Sequence, residues 1–203
     1  MKQMMNDDRG EIGVARLRGL DVVRARPLLY ISATNGRGIA DLVSFVLRYS
    51  FGQDADWGGK ATVACVTLLR AGGVRVEDNS TGLSTGFPAE VQHSLAPLFA
   101  EISTDRSSVS SLYIVNAFSD RITVSVARDG YWWQQVFVDD IEDTDLRRMG
   151  QAAGPGLRVD FWPRVDVFGA DVDAESIVKA LEDLRVAVPS ASVAFVDARE
   201  CLT

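Results

Sequence analysis

The sequence has 203 residues, of which 47% are hydrophobic and 24% charged, proportions typical of one soluble globular domain. Its net charge is −7 and its basic residues form no dense patch, which argues against binding to nucleic acid or to an anionic membrane. Cys65 and Cys201 give neither a disulfide framework nor a metal-binding spacing, as expected in a reducing cytoplasm. No apolar run approaches about 20 residues and the start is polar, so we expect neither a signal peptide nor a membrane span.

Helical patterns occur in several places along the chain. The clearest covers residues 39–50, where apolar side chains recur at helical spacing and predict a helix with one core-facing side that ends at Gly52. A shorter pattern before it stops at Pro27, and Pro97 should divide a later one. These shorter helices are predicted at residues 17–26, 89–102, 112–118 and 174–186.

Alternating apolar and polar residues predict strands at residues 61–69, 73–77, 121–127, 131–138, 157–162 and 192–196. Hairpin turns are expected at Ala71-Gly72-Gly73 and at Asp129-Gly130. Within the second hairpin, Trp132 and Trp133 should point to opposite faces, one into the core and the other over an edge, into a pocket or against a partner.

The order of these elements predicts the fold class. Residues 139–151 are interpreted as an acidic connector, and residues 1–15 as a loose N-terminal arm. Helices interleaved with hairpins favour an α+β two-layer sandwich, formed by residues 16–203 as a single domain.

The stretch V-R-V-E-D-N-S-T-G-L-S-T-G at residues 74–86 begins as a strand and breaks at Asp78 into a run of turn-forming residues. A carboxylate at the end of a buried strand, followed by a glycine turn, can hold one polar group of a ligand at the mouth of an apolar pocket. The same residues also fit a strand that ends in an ordinary Asx-type turn.

Several motifs follow one another in a fixed order. They are R-L-R-G-L-D-V-V-R-A-R-P-L-L-Y-I at 16–31, N-G-R-G-I-A-D-L-V at 35–43, the stretch 74–86, I-V-N-A-F-S at 114–119, R-D-G at 128–130 and F-W-P at 161–163. In this order they resemble the ATP-binding domain of the DNA gyrase B subunit and of topoisomerase IV. That domain belongs to the GHKL group (Bergerat fold), with histidine kinases, MutL and heat-shock chaperone ATPases. The resemblance implies a mixed, largely antiparallel sheet covered on one face by helices, with the nucleotide between them.

The resemblance also implies two catalytic residues on the long helix: a glutamate that activates water and, one turn later, an asparagine that holds magnesium. This sequence has Phe45 and Tyr49 at the matching positions, and phenylalanine neither accepts a proton nor binds a metal. The family's glycine-rich phosphate loop is matched by residues 105–111, which contain no glycine. We therefore expect no hydrolysis by the family mechanism, no metal site, and no requirement for ATP or magnesium as a cofactor.

Asp78 matches the family aspartate that receives the adenine amino group. The apolar or small residues that match the surroundings of the adenine are Val46, Ser50, Val76, Leu83 and Val159. Leu157 replaces a family threonine near the adenine, and Gln134 replaces an arginine at the pocket rim.

By the same resemblance Phe45, Tyr49, Tyr113 and Leu157 would line the old nucleotide cavity and make it drier and smaller. Two interpretations fit. Either these side chains fill the cavity, or the cavity binds an apolar or aromatic small molecule instead of a nucleotide. The sequence thus predicts a non-hydrolysing, cytoplasmic, gyrase-B-like domain that serves as a small-molecule-binding or protein-interaction module, as a monomer or homodimer.

Two further hypotheses remain open. In the first, the cavity is a new active site that acts on an apolar metabolite of specialised biosynthesis. Asp78 would be the acid–base group, and Tyr49 or Tyr113 would donate a hydrogen bond or proton. Alternatively, the chain is a decoy for gyrase inhibitors or for the gyrase protomer, since many such inhibitors contact the adenine-site aspartate. The sequence ends where the family's first domain ends, so we expect no transducer, strand-passage or DNA-cleaving domain.

Overall fold

The structure, a computed structural model, describes residues 19–53, 60–81, 94–99, 111–139 and 141–199. Within them eight strands form one sheet in the order β5-β4-β3-β7-β2-β1-β8, with β6 also beside β4. The strands are β1 (Val63–Leu68), β2 (Val74–Asp78), β3 (Ser119–Arg128), β4 (Tyr131–Val138), β5 (Ile141–Glu142), β6 (Arg147–Gln151), β7 (Gly156–Pro163) and β8 (Ser192–Asp197). All neighbours are antiparallel except β1 and β8, so the predicted α+β fold with a mixed, largely antiparallel sheet is confirmed.

Five α-helices lie in the described part of the chain: α1 (Leu20–Arg24), α2 (Ile39–Ser50), α3 (Ser111–Ala117), α4 (Val165–Phe168) and α5 (Ala174–Ala187). Helix α2 is central, because it packs against α3 and α5 on its sides and against β1, β2 and β7 beneath it. It ends as predicted, with Gly52 in the left-handed region at φ 68°. None of the described helices has the length and apolar character needed to cross a membrane.

The alternation of side chains along β2 separates two faces of the sheet. Val74 and Val76 are fully buried on the face that α2 covers. Arg75 and Glu77 lie on the opposite face, where Arg75 makes two 2.7 Å hydrogen bonds to Asp160 and Glu77 accepts a 2.8 Å bond from Arg158. One face is therefore an apolar core and the other carries ion pairs between neighbouring strands.

The interpretation of residues 139–151 as an acidic connector is wrong. This segment contains β5 and β6, which both pair antiparallel with β4. The position of β5 is supported by Gln135 of β4, whose side-chain amide donates to the Glu142 carboxylate at 2.9 Å and to the carbonyl of Thr144, between β5 and β6, at 3.1 Å. Both strands are exposed and are held mainly by backbone pairing. Their sequence therefore shows no alternation of apolar and polar residues, which is the pattern from which strands were predicted.

The expectation that one tryptophan of the second hairpin lies in the core is also wrong, because Trp132 and Trp133 are both only partly buried. Each ring is covered by an arginine: Arg158 lies 4.9 Å from the Trp132 ring centre and Arg128 lies 4.9 Å from that of Trp133. The turn itself is as predicted, with Asp129 and Gly130 at φ 55° and 78°.

Some expectations lie outside the described residues. They concern the arm at residues 1–15, most of the helix predicted at 89–102, Leu83, and the glycine-free stretch up to residue 110. Around Pro97 the structure describes a short 3-10 turn, Ala96–Phe99.

The N-terminus of α5 offers a test of folding energetics. The Ser176 hydroxyl and backbone N–H donate to the Asp173 carboxylate at 2.8 and 3.2 Å and lower its pKa. We expect Asp173→Ala to lower the free energy of unfolding by about 1 kcal/mol in chemical denaturation. Because the folded-state pKa is lowered, this stabilisation is complete above the ordinary aspartate pKa of about 4 and is lost as the pH falls through the lowered value.

Asp173→Asn is the matched control, since it keeps a cap acceptor that does not titrate. Its stability should stay near that of the wild type at neutral pH, and the wild type should lose more stability than this variant in acid. Equal acid sensitivity of the two proteins would contradict the assignment.

The ion pair between Arg75 and Asp160 offers a second test. Both of its hydrogen bonds are 2.7 Å long and the Asp160 side chain is only 10% exposed. We expect a double-mutant cycle with Arg75→Ala and Asp160→Ala to give a coupling energy of about 1 kcal/mol in denaturant unfolding, because the pair is bidentate and partly shielded from water. A coupling indistinguishable from zero would show that the pair is no stronger than an exposed one.

Candidate functional site

Asp78 is the last residue of β2 and only 8% exposed. Its Oδ1 accepts the backbone N–H of Ser80 at 2.7 Å, which is the predicted Asx-type turn. The same oxygen accepts the backbone N–H of Leu157 at 3.1 Å, from the start of the neighbouring strand β7. Asp78 therefore closes its own turn and also joins β2 to β7.

The next residue, Asn79, fastens the turn to the other neighbour of β2. Its side-chain oxygen accepts the backbone N–H groups of Thr62 and Val63 at 2.9 and 3.0 Å, and its amide donates to the Thr62 hydroxyl at 3.1 Å. The position of Asp78 is thus held by hydrogen bonds to β1 on one side and to β7 on the other.

The second carboxylate oxygen, Oδ2 of Asp78, is buried and has no hydrogen-bond partner among the described residues. An unsatisfied buried acceptor costs about 1–3 kcal/mol and more when it carries charge. A ligand that donates an N–H or O–H group to this oxygen recovers that free energy, so Oδ2 is well suited to hydrogen-bond a ligand.

Gly156, at the start of β7, lies very close to Asp78. A Cβ atom at this position would lie 2.6 Å from the Asp78 carbonyl oxygen and 3.3 Å from the Trp132 ring. Any larger residue would push β7 away from β2 and disturb the hydrogen bond from Leu157. Glycine is therefore required here for close approach of the two strands.

Helix α2 carries Phe45 and Tyr49, the two residues that the resemblance matches to catalytic positions. Phe45 is partly buried and packs against the core, and Tyr49, four residues later on the same side of the helix, is only 4% exposed. Neither has a carboxylate that could activate water. This side of α2 is therefore aromatic over one turn.

Val46 and Ser50, on the same helix, are both fully buried. The Ser50 hydroxyl donates to the Val46 carbonyl oxygen at 3.0 Å, so it satisfies its own helix. Ser50 is the one polar side chain among the residues that the resemblance matched to the surroundings of the adenine. Its hydroxyl hydrogen is therefore already used within the helix.

The sheet register brings together four of the predicted residues. Val76 pairs with Val159, and Leu157 bonds to Asp78, so all four lie on the face that α2 covers. Leu157 and Val159 are almost fully buried. These contacts give the carboxylate an apolar surround.

Other predicted residues lie elsewhere. The Tyr113 hydroxyl lies beside Gly19 at the start of α1, where a Cβ atom would be 3.9 Å away. Gln134 donates to the Ser125 hydroxyl at 3.0 Å. Since Gln134 follows Trp133, which shares its face with Val126 and Leu157, the Gln134 side chain points to the opposite face from Asp78.

Sequence reasoning missed the backbone N–H of Leu157 as a donor to Asp78, because a contact across 79 residues leaves no local pattern. It also missed a cavity of about 840 Å³ between the start of α2 and α5, lined by Arg37, Asp41, Asp173 and Lys179 among others. Asp41 is already bonded to Ser32 and Asp173 caps α5, so these carboxylates have structural roles. No group of three metal-ligating side chains occurs in the described ranges.

Comparison with known proteins agrees with the fold. No protein-family model matches the chain. The DNA gyrase B subunit of Mycobacterium tuberculosis (strain H37Rv) is 30% identical over 212 residues, which cover 98% of this chain and 31% of that protein. The Streptomyces coelicolor protein of the same name is 30% identical over 91% of this chain, and the novobiocin-sensitive one of Streptomyces niveus is 32% identical over the same share.

The chain spans 29–31% of the length of these relatives, so the similarity concerns one segment of them. The chain is a relative of this segment of the DNA gyrase B subunit, and its mixed, largely antiparallel sheet is consistent with a GHKL-like fold.

Proposed function

We propose that this chain binds a small molecule through Asp78 and does not hydrolyse ATP. The observation that carries the proposal is the buried Oδ2 of Asp78, which lacks a hydrogen-bond partner within the described part of the chain while Oδ1 accepts two backbone N–H groups. A carboxylate with one structural oxygen and one unused oxygen is rigid before a ligand arrives. Because the carboxylate is already oriented, little binding free energy is lost in ordering it when a ligand binds.

The proposed absence of hydrolysis rests on α2. By the resemblance, Phe45 and Tyr49 of this helix match the positions at which those ATPases carry a general base and a magnesium ligand. Phenylalanine offers no lone pair for either task, and the buried Tyr49 ring fills space near the core. Among the described residues the proposed site therefore has a binding group in Asp78 and no general base at Phe45.

The surroundings define the ligand. Val76, Leu157 and Val159 are almost fully buried on the face that carries Asp78, and α2, which bears Phe45 and Tyr49, packs against β2 and β7. We propose a flat, largely apolar molecule with one N–H donor for Oδ2 and no charged tail. This class includes the adenine base without its phosphates.

A second candidate function is capture of gyrase inhibitors. It is favoured by the unused oxygen of Asp78. The similarity to the gyrase B subunits of Streptomyces niveus does not discriminate, because the chain is 32% identical both to the one named novobiocin-sensitive and to the one named novobiocin-resistant. For the hypothesis of a new active site, the structure shows no bond between a tyrosine hydroxyl and Asp78 Oδ2 among the described residues, so no specific observation favours catalysis.

The binding proposal is tested by calorimetric titration with adenosine, with a non-hydrolysable ATP analogue with and without magnesium, and with novobiocin. We expect adenosine to bind at least as tightly as the ATP analogue, and magnesium to have no effect, because binding relies on the base alone. Asp78→Asn keeps an oxygen for Ser80 and Leu157 but replaces Oδ2 by a donor, so it should weaken binding by about tenfold or more.

Unchanged binding in Asp78→Asn, with the variant folded by circular dichroism, would refute the role of Oδ2. Tighter, magnesium-dependent binding of the ATP analogue would show that a phosphate site persists. Binding of novobiocin alone would favour inhibitor capture.

The absence of hydrolysis is tested by a coupled ATPase assay. We expect the phosphate release rate of the wild type to equal that of Asp78→Asn, because Phe45 supplies no base. A steady magnesium-dependent rate in the wild type that disappears in Asp78→Asn would contradict the proposal.

A further inference from the structure

Strand β8 forms an outer edge of the sheet and pairs with β1 alone among the strands described. This pairing is parallel, and it begins where the backbone N–H of Ser192 donates to the Thr62 carbonyl oxygen at 2.9 Å. In a parallel ladder, alternate residues of a strand direct their N–H and C=O groups to the same side. Every second residue from Ser192 therefore bonds to β1. The backbone groups that point away from the sheet belong to the other three residues of β8: Val193, Phe195 and Asp197.

The residues of this edge favour the addition of another strand. Residues 192–196, S-V-A-F-V, are mostly β-branched or aromatic and include no charge, proline or glycine. Ala194 is exposed and Val196 is 45% exposed, so apolar surface accompanies the outward-pointing backbone groups. An apolar edge strand of this kind is a template for pairing with another chain.

A second copy of this chain is the occupant that fits the edge. When two β8 strands pair antiparallel about Phe195, Val193 of one copy lies opposite Asp197 of the other. Asp197 is the one charged residue of the strand and then faces an apolar residue, so no like charges meet. The arrangement has the two-fold symmetry that most homodimers use.

An arginine on α5 already occupies the outer side of β8. Arg185 lies in the last turn of α5, and its Nη2 donates to the Val193 carbonyl oxygen at 2.6 Å. This carbonyl is one of the outward-pointing groups that an added strand would need. A hydrogen bond from a guanidinium is stronger than one between neutral groups, and the charged side chain lies where the second strand would pack.

The far end of the strand is held by a second arginine. The Asp197 carboxylate accepts the backbone N–H of Arg199 at 3.1 Å and its guanidinium at 2.6 Å. The same guanidinium donates to the Val172 carbonyl oxygen at 2.9 Å, which directs the chain after β8 towards the loop before α5. Phe195 is therefore the one residue of the outward row that neither arginine holds, and a single residue is too short for a stable ladder.

We propose that Arg185 closes the β8 edge and keeps this chain from pairing strand to strand with a second copy of itself. Pairing about Phe195 requires the Val193 carbonyl oxygen to accept the backbone N–H of Asp197 from the second copy, and Arg185 already occupies that acceptor. Removal of the guanidinium exposes an edge that is complementary to itself. The edge is thus an interface for self-association that Arg185 blocks.

The test is sedimentation velocity of the intact chain and of Arg185→Met, which keeps the length of the side chain and removes its donors. We expect the self-dissociation constant of Arg185→Met to lie at least about tenfold below that of the wild type. Lys179→Met is the matched control, because it removes the same charge from an exposed site on the same helix. Its self-association should equal that of the wild type.

Amide hydrogen exchange locates the interface. In the wild type the outward N–H of Phe195 should exchange quickly at every protein concentration, whereas in Arg185→Met it should become protected as the concentration rises. The N–H of Ala194, which points to β1, should stay protected in both proteins. Adding Val196→Lys to Arg185→Met restores the net charge and places a lysine on the exposed edge, so the double variant should lose the added association.

Several outcomes would overturn the proposal. They are a wild type in which Phe195 already becomes protected with rising concentration, an Arg185→Met variant that associates no more than Lys179→Met, and a dimer of Arg185→Met in which Phe195 stays unprotected. Circular dichroism of each variant distinguishes a change in association from a loss of fold. Arg185→Ala repeats the measurement if the methionine variant is not folded.

Discussion

The register of β2 between β1 and β7 is the constraint on which the rest of the structure depends. It places Val74 and Val76 against α2 and directs Arg75 and Glu77 to their partners on β7. A slip of one residue would turn the valines to the open face and put two charges into the core. Core burial and ion pairing on opposite faces therefore specify the same register.

That register also creates the candidate site. Because Glu77 pairs with Arg158, the next residue, Asp78, meets the backbone N–H of Leu157 as β7 begins. The Asx-turn interpretation and the ligand interpretation of Asp78 are then compatible, since each uses a different carboxylate oxygen. One oxygen fixes the strand ends, and the other is left in an apolar surround with no partner among the described residues.

The two sides of the proposed site depend on different contacts. The sheet side consists of the Asp78 carboxylate and the close approach of β2 and β7 at Gly156, both tied to backbone geometry. The helix side carries the partly buried Phe45 and the buried Tyr49, which both pack with the core. Substitutions on one helix face cost little stability when they stay apolar and well packed, whereas substitutions at the strand ends would disturb three strands at once.

Local patterns in the sequence determined the parts of this protein that short-range physics controls. Helical spacing of apolar residues set α2, the Asp129-Gly130 turn set the second hairpin, and the turn formers after Asp78 set the Asx turn. The tertiary structure alone decided the pairing of β5 and β6 with β4, the covering of both tryptophans by arginines, and the second donor to Asp78. These depend on contacts between residues far apart in the chain, which no local periodicity records.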